Sequence, residues 1–237
     1  MNRVFFVLTL GCFLLMAGCA SGPAEEAVPA APEEKAAPAA IDLFDGATLD
    51  GWEVFLADPE VKKEDVWSVQ EGLLVTTGEP LGFLHTTESF QDFELVVEWR
   101  WAPGTEPGNN GTLMRINGEL SPVPRCIEVQ MKSGNEGDVY SFHGMVIEGD
   151  PERTTASEND LVGKFVGVKR MEDAWNPPGE WNKYEIRIVG GDITVKLNDK
   201  LVNQAANAPL ISGPVGVQSE GGIAQFRTIR ITPLTSE

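Results

Sequence analysis

Apolar and polar residues alternate with a period of two along most of the chain after residue 40, and strand side chains point to opposite faces in turn. Val66-Trp67-Ser68-Val69 and Leu73-Leu74-Val75-Thr76 flank Glu71-Gly72 and predict a hairpin. Over residues 93–101, Phe93, Leu95, Val97, Trp99 and Trp101 form an apolar stripe, with Glu94, Glu98 and Arg100 on the other side. Residues 184–189 and 193–198 bracket Gly190-Gly191-Asp192, a second hairpin, and residues 215–218 and 226–231 complete the set. No long segment carries a helical period, so the pattern predicts an all-β domain built as a two-sheet sandwich. Between Gly144 and Gly179 the chain is mostly polar and punctuated by Pro151, Pro177 and Pro178. Only Met145-Val146-Ile147 and Phe165-Val166-Gly167-Val168 read as strands there, and long irregular segments often line binding sites.

The same alternation sorts residues 113–116 and 126–132. Ile127, Val129 and Met131 point one way and Glu128, Gln130 and Lys132 the other, while Met114 and Ile116 oppose Leu113 and Arg115. If the two strands share a core, one polar face carries Arg115, Glu128, Gln130 and Lys132. Such a face offers both the donors and the acceptors that a hydroxylated ligand needs. An ordinary solvated sheet face would look alike. Gln218 and Glu220 share a strand face and can add to a cleft; a plain strand-end carboxylate before Gly221-Gly222 is the simpler reading of Glu220.

The ends differ in character. Residues 1–18 read as a signal peptide: Arg3 opens it, residues 4–16 are apolar, and Met16-Ala17-Gly18 precede Cys19. The run is too short to span a membrane, which takes about 20 residues. Small residues before Cys19 resemble a bacterial lipobox, with Cys19 as the lipidated residue. Ala20, not aspartate, follows it, which implies an outer-membrane lipoprotein of the cell envelope, touching the membrane only through its anchor. Residues 19–40, rich in alanine, proline and glutamate, are a tether that cannot bury a core. The domain covers residues 41–237. Cys126 is its only thiol, so no internal disulfide forms, and its strand position suits a small buried residue. A net charge of −18 repels phosphate backbones and argues against a nucleic-acid partner.

The domain resembles the 3-keto-disaccharide hydrolase family, once known only as a domain of unknown function. The markers are Leu43-Phe44-Asp45-Gly46, Asp50-Gly51-Trp52, Asp92-Phe93-Glu94-Leu95, Asn109-Asn110-Gly111 leading to Met114-Arg115, and Glu128-Val129-Gln130. Gly179-Glu180-Trp181-Asn182, residues 213–218 from Gly-Pro to Val-Gln, and Phe226-Arg227-Thr228-Ile229 follow in order. The family has Asn where Thr228 stands, Asn-Gly where Asn198-Asp199 stand, and Asp where this chain has Lys132-Ser133. The resemblance implies a concanavalin-A-like jelly roll, two curved antiparallel sheets with a sugar-binding concave face. It implies glycosides already oxidised to a ketone at C3, with a sugar 3-dehydrogenase acting upstream.

A C3 ketone acidifies the C2 proton and sets up elimination of the C1 oxygen, followed by hydration; direct hydrolysis of the same bond is the other route. Elimination needs a base, donors for the enolate oxygen and an acid for the leaving oxygen. Glu128 is the first acid/base candidate and His143 the second, since a histidine titrates near neutrality. Lys132 or Arg115 would stabilise the enolate, Gln130 would hold a hydroxyl, and Gln218, Glu220 and Trp175 would bind sugar. The bland readings are an ion pair of Glu128 with Arg115 and a merely hydrogen-bonded His143. Trp99 and Trp101 read as core, and Trp181 as a packing residue. No cofactor is expected: with two histidines and no cysteine pair a zinc site is improbable. Loop carboxylates such as Glu172 and Asp173 could hold a structural calcium ion, but no run of oxygen ligands at calcium-loop spacing appears. The rival class is a surface-tethered carbohydrate-binding module without catalysis, since sandwich folds host both.

Overall fold

The computed structural model describes residues 39–234. The signal, Cys19 and nearly all of the tether lie outside the described residues. The strands run in order as β1 (Ile41–Asp42), β2 (Trp52–Leu56), β3 (Trp67–Gln70), β4 (Leu73–Thr76), β5 (Gly82–Thr86), β6 (Phe93–Trp101), β7 (Gly111–Asn117) and β8 (Arg125–Gln130). They continue as β9 (Val139–Ser141), β10 (Thr154–Asn159), β11 (Gly163–Val168), β12 (Asn182–Val189), β13 (Asp192–Leu197), β14 (Lys200–Ala205), β15 (Gly216–Ser219) and β16 (Ala224–Pro233). The one helix among the described residues is a single turn, α1 (Lys63–Val66).

Two antiparallel sheets result, ordered β14-β13-β12-β6-β16-β4-β3, with β1 beside β16, and β10-β11-β9-β8-β7-β15-β5-β2. The hairpin turns follow from local chemistry. Glu71 and Gly72 between β3 and β4 both take positive φ, 52° and 80°, and Asn198 and Asp199 between β13 and β14 do the same at 51° and 68°. Paired positive φ values match the right-handed twist of the flanking strands.

The alternation predicted over residues 93–101 is observed along the whole of β6, whose odd positions are buried. Leu95, Val97, Trp99, Tyr184, Ile186 and Phe226 from the first sheet meet Leu84, Met114, Ile127, Val129 and Val217 from the second in one core. A smaller apolar cluster occupies the opposite, outer face of the second sheet: Phe83, Leu113, Ile116, Cys126 and Phe142, capped by Val123 from the β7–β8 loop.

Three expectations change. Residues 154–159 form β10, which the polar pattern hid because five of its six residues are exposed. Met145 and Ile147 are buried and Val146 is exposed, yet no strand forms; the segment packs on the core as a loop. At Arg115 the alternation breaks. The β7–β8 register shifts between Met114 and Asn117, and Arg115 takes φ 52°. A bulge of this kind turns side chains to new faces. Ile116 therefore joins the outer cluster, and Arg115 leaves the polar face altogether.

Candidate functional site

The outer face of the second sheet is organised in rows across the strands. Glu128 on β8 pairs with Leu113 on β7 and with Tyr140 on β9; Tyr140 pairs with Gly167 on β11, and Gly167 with Thr155 on β10. Beside this row, Gln130 pairs with Gly111, and Gln218 on β15 pairs with Phe83 on β5.

Glu128 is 2% exposed, although its parity directs it away from the main core. Its carboxyl lies over Gly111: a Cβ at that position would stand 2.0 Å from Glu128 Oε1 and 2.5 Å from Gln218 Oε1. The two oxygens thus flank one point above a bare backbone. Both are buried without a hydrogen-bond partner, a state costly enough to be rare in native structures. Burial raises the Glu128 pKa well above its ordinary 4.5, and the nearby Glu220 carboxylate raises it further. The carboxyl is held in its neutral, proton-donating form to higher pH.

Glu220 follows β15 at the solvent edge of this pair. Burial raises its pKa, while Lys132 and a hydrogen bond with the Asn109 side chain oppose the rise. Lys132 itself is exposed in the turn after β8, its backbone N–H bonded to Gln130 Oε1 at 2.9 Å. Gln130 Oε1 also accepts from Met131 N at 3.0 Å, so its oxygen is spent on the backbone. Glu128, Gln218, Glu220 and Lys132 are brought together, with Gln130 adjoining.

Arg115, His143 and Trp175 are not. Arg115 is fully buried, and its guanidinium donates to the carbonyls of Gln91 (2.9 and 2.7 Å), Pro209 (2.6 Å) and Gly190 (2.8 Å), with Asp92 at 3.2 Å. It joins loops instead of facing Glu128, so neither an ion pair with Glu128 nor enolate contact is open to it. Antiparallel pairing carries His143 past the Arg125 end of β8, whereas Lys132 lies beyond the Gln130 end. His143 Nε2 is 2.8 Å from Val123 O and pins the β7–β8 loop. Trp175 packs against the main core, with the Arg170 guanidinium 4.8 Å from its ring centroid.

The two loop carboxylates are ion-paired, Glu172 with Lys200 at 3.6 Å and Asp173 with Arg170 at 2.7 Å. Among the described residues no three His, Cys, Asp or Glu side chains are grouped to hold a metal. Trp99 and Trp101 are buried core residues, and Trp181 lies between the guanidiniums of Arg100 and Arg227, each 4.5 Å from its ring.

Residues 39–232 match the model of the 3-keto-alpha-glucoside-1,2-lyase-like domain. The chain belongs to that family. A 3-keto-disaccharide hydrolase of Bacteroides thetaiotaomicron is 25% identical over 68% of this chain, and the match spans 57% of that relative's length. A candidate glycosyl hydrolase from Parabacteroides distasonis superposes with a TM-score of 0.58 at 17% identity, covering 83% of this chain and 94% of the other. The carbohydrate-binding module CBM66 of Bacillus subtilis superposes with a TM-score of 0.55 at 14% identity, covering 77% and 95%. These likenesses share the jelly-roll fold expected from the resemblance.

Sequence reading passed over Asn109, Gly111 and Tyr140 as site residues. The first two stand in a motif noted for its order alone. Tyr140 becomes visible only through register, because nothing local links β9 to Glu128.

Proposed function

We propose that the domain cleaves glycosides carrying a C3 ketone, by elimination across C1–C2 followed by hydration, at the Glu128 site. The observation that carries this reading is the buried, unpartnered Glu128 Oε1 above Gly111, in a carboxyl whose proton is retained by burial and by Glu220. Two neighbouring carboxyls with unequal environments suit an acid and a base acting on one substrate. Glu220, nearer solvent, removes the C2 proton, and the electron pair moves into a C2–C3 enolate. Lys132, beside Glu220, offers a positive charge for the oxygen that becomes anionic at C3. Collapse of the enolate expels the C1 oxygen, which takes its proton from Glu128. Water then adds across the C1–C2 double bond, for net hydrolysis. Family membership supports the reaction class.

The test is incubation of the purified chain with a 3-keto-glucoside and with the same glycoside lacking the ketone. Aglycone release from the first alone supports elimination. Glu128→Gln keeps shape and removes proton transfer, so turnover falls by about 10²–10⁴-fold. Sugar binding without release by the unaltered protein would instead identify a binding module.

A further inference from the structure

Outward from Glu128, the row continues through Tyr140, Gly167 and Thr155. Two residues further along the same ladder, Lys169 N–H donates to Arg153 O at 2.8 Å. Lys169 and Arg153 thus stand on the same face as Gly167 and Thr155. A Cβ at Gly167 would lie 2.6 Å from Tyr140 Cε1, so the phenol rests across the backbone of β11. Phe165 packs beside it, with ring centroids 6.5 Å apart.

A cavity of about 410 Å³ opens over these two rings, within the small-molecule range of about 300–1,000 Å³. Its charged lining is Arg153, Lys169 and Arg170 against Asp138 alone, in a chain whose net charge is −18. Tyr140 adds no negative charge, because burial, with Asp138 nearby, pushes its phenol up to about 12. Asp150 and Asp173, which pair with Arg153 and Arg170, lie outside the lining with side chains 48% and 67% exposed.

The three cations are not equivalent. Arg170 donates to Asp138 at 3.1 Å, Asp173 at 2.7 Å and Gly134 O at 2.7 Å, so it supplies charge and no free donor. Arg153 Nη1 donates to Lys169 O and to Asn203 Oδ1, and its Nε lies 3.5 Å from Asp150. Arg153 Nη2, the exposed Lys169 ammonium and the exposed Thr155 hydroxyl have no partner among the described residues. Free cationic donors beside flat apolar faces suit a ligand with an aromatic body and a carboxylate at one end. Strands lie about 4.8 Å apart, so the Gly167 backbone is about 10 Å from that of Glu128. One phenyl ring with a short acid arm spans such a gap.

We infer that this cavity binds an anionic group at the far end of the leaving group, so that the chain prefers 3-keto-glucosides of aromatic acids to those of neutral phenols. This rests on the function proposed above, which places the C1 oxygen between Glu128 and the cavity.

The experiment compares kcat/KM for the 3-keto-glucosides of 4-hydroxyphenylacetate and of its amide. A methylene separates ring from acid, so the two phenols differ little as leaving groups. The acid is expected to be preferred by about tenfold, most of it in KM. Lys169→Met should cut that ratio severalfold, and Lys169→Glu should bring it to one or below. Lys196→Met, the same loss of charge on the other sheet, should leave it as it was. Equal kcat/KM for the two substrates, or a preference surviving both Lys169 variants, overturns the inference. Titrating the intact chain with free 4-hydroxyphenylacetate should give saturable shifts of the Gly167 and Lys169 amide resonances. Inorganic phosphate should shift them weakly; shifts as full as the aryl acid gives would mark a site for a free anion and end the leaving-group reading. If neither glucoside is cleaved, the proposed function falls and the titration decides the cavity alone. Shifts with the acid and none with the amide then sustain an anion site, and shifts with neither remove it.

Discussion

Arg115 and Asp92 form an ion pair of 3.2 Å with side chains 0% and 4% exposed. The same guanidinium takes up three loop carbonyls, and Asp92 Oδ1 also accepts the Gly190 N–H at 2.9 Å. Burial lowers the Arg115 pKa, and Asp92 resists the change. Removing one partner of a buried pair leaves the other charge uncompensated, at about 3–5 kcal/mol. Arg115→Ala should lose that much in urea unfolding. Arg115→Lys should recover little, because a single ammonium cannot match the fork. Specific activity per folded molecule should be unaltered, since Arg115 does not reach Glu128; a purely catalytic loss in a stable variant would return it to the site.

Gly111 is the support on which the Glu128 carboxyl rests. Gly111→Ala places a methyl 2.0 Å from Oε1, which forces the carboxyl aside. Overpacking of this kind costs about 1–3 kcal/mol. Turnover of a 3-keto-glucoside should fall by more than the modest drop in melting temperature explains, and unchanged turnover would show that the carboxyl position is immaterial.

The raised Glu128 pKa also fixes a sign for stability against pH. Between 4.5 and its folded value the native carboxyl holds a proton that the unfolded chain has released. Its stabilising contribution is complete below pH 4.5 and is lost as the pH rises through the folded value. Glu128→Gln has no proton to lose. The melting temperature of the variant minus that of the unaltered protein should therefore be constant below pH 4.5 and become steadily more positive above it. Calorimetry across that range checks this, and a flat difference would mean that the folded pKa is ordinary.

At the other end of the chain, Cys19 is proposed as the lipid acceptor. Cys19→Ser should abolish incorporation of a radiolabelled fatty acid in a bacterial host, and labelling that persists would point to another site.

The strands with one buried face were legible because burial imposes period two, as in β6 and the β12–β13 hairpin. Three features were not, each for its own reason. β10 buries neither face, so nothing selects apolar residues at alternate positions. Met145 and Ile147 mimic a strand because a loop draped on a core can also bury every second side chain. Arg115 obeyed parity in the sequence, but one positive φ at a bulge cancelled it in space. The site was read in the same partial way. Glu128, Gln218, Glu220 and Lys132 follow from alternation and order, whereas Tyr140 depends on the register of β9, which no local pattern encodes.

The position of β16 has a kinetic consequence. This last described strand runs through the middle of the first sheet, bonded to β6 along its length and to β4 at Ala224–Phe226. In backbone hydrogen bonding, β3 and β4 reach the rest of that sheet only through it. During synthesis the first sheet therefore cannot close until residues 224–233 have emerged, more than 120 residues after the β6 partner they must find. Contacts so distant along the chain slow folding. Until then, β6 offers an unpaired apolar edge, so chains truncated before residue 224 should aggregate where the whole chain folds.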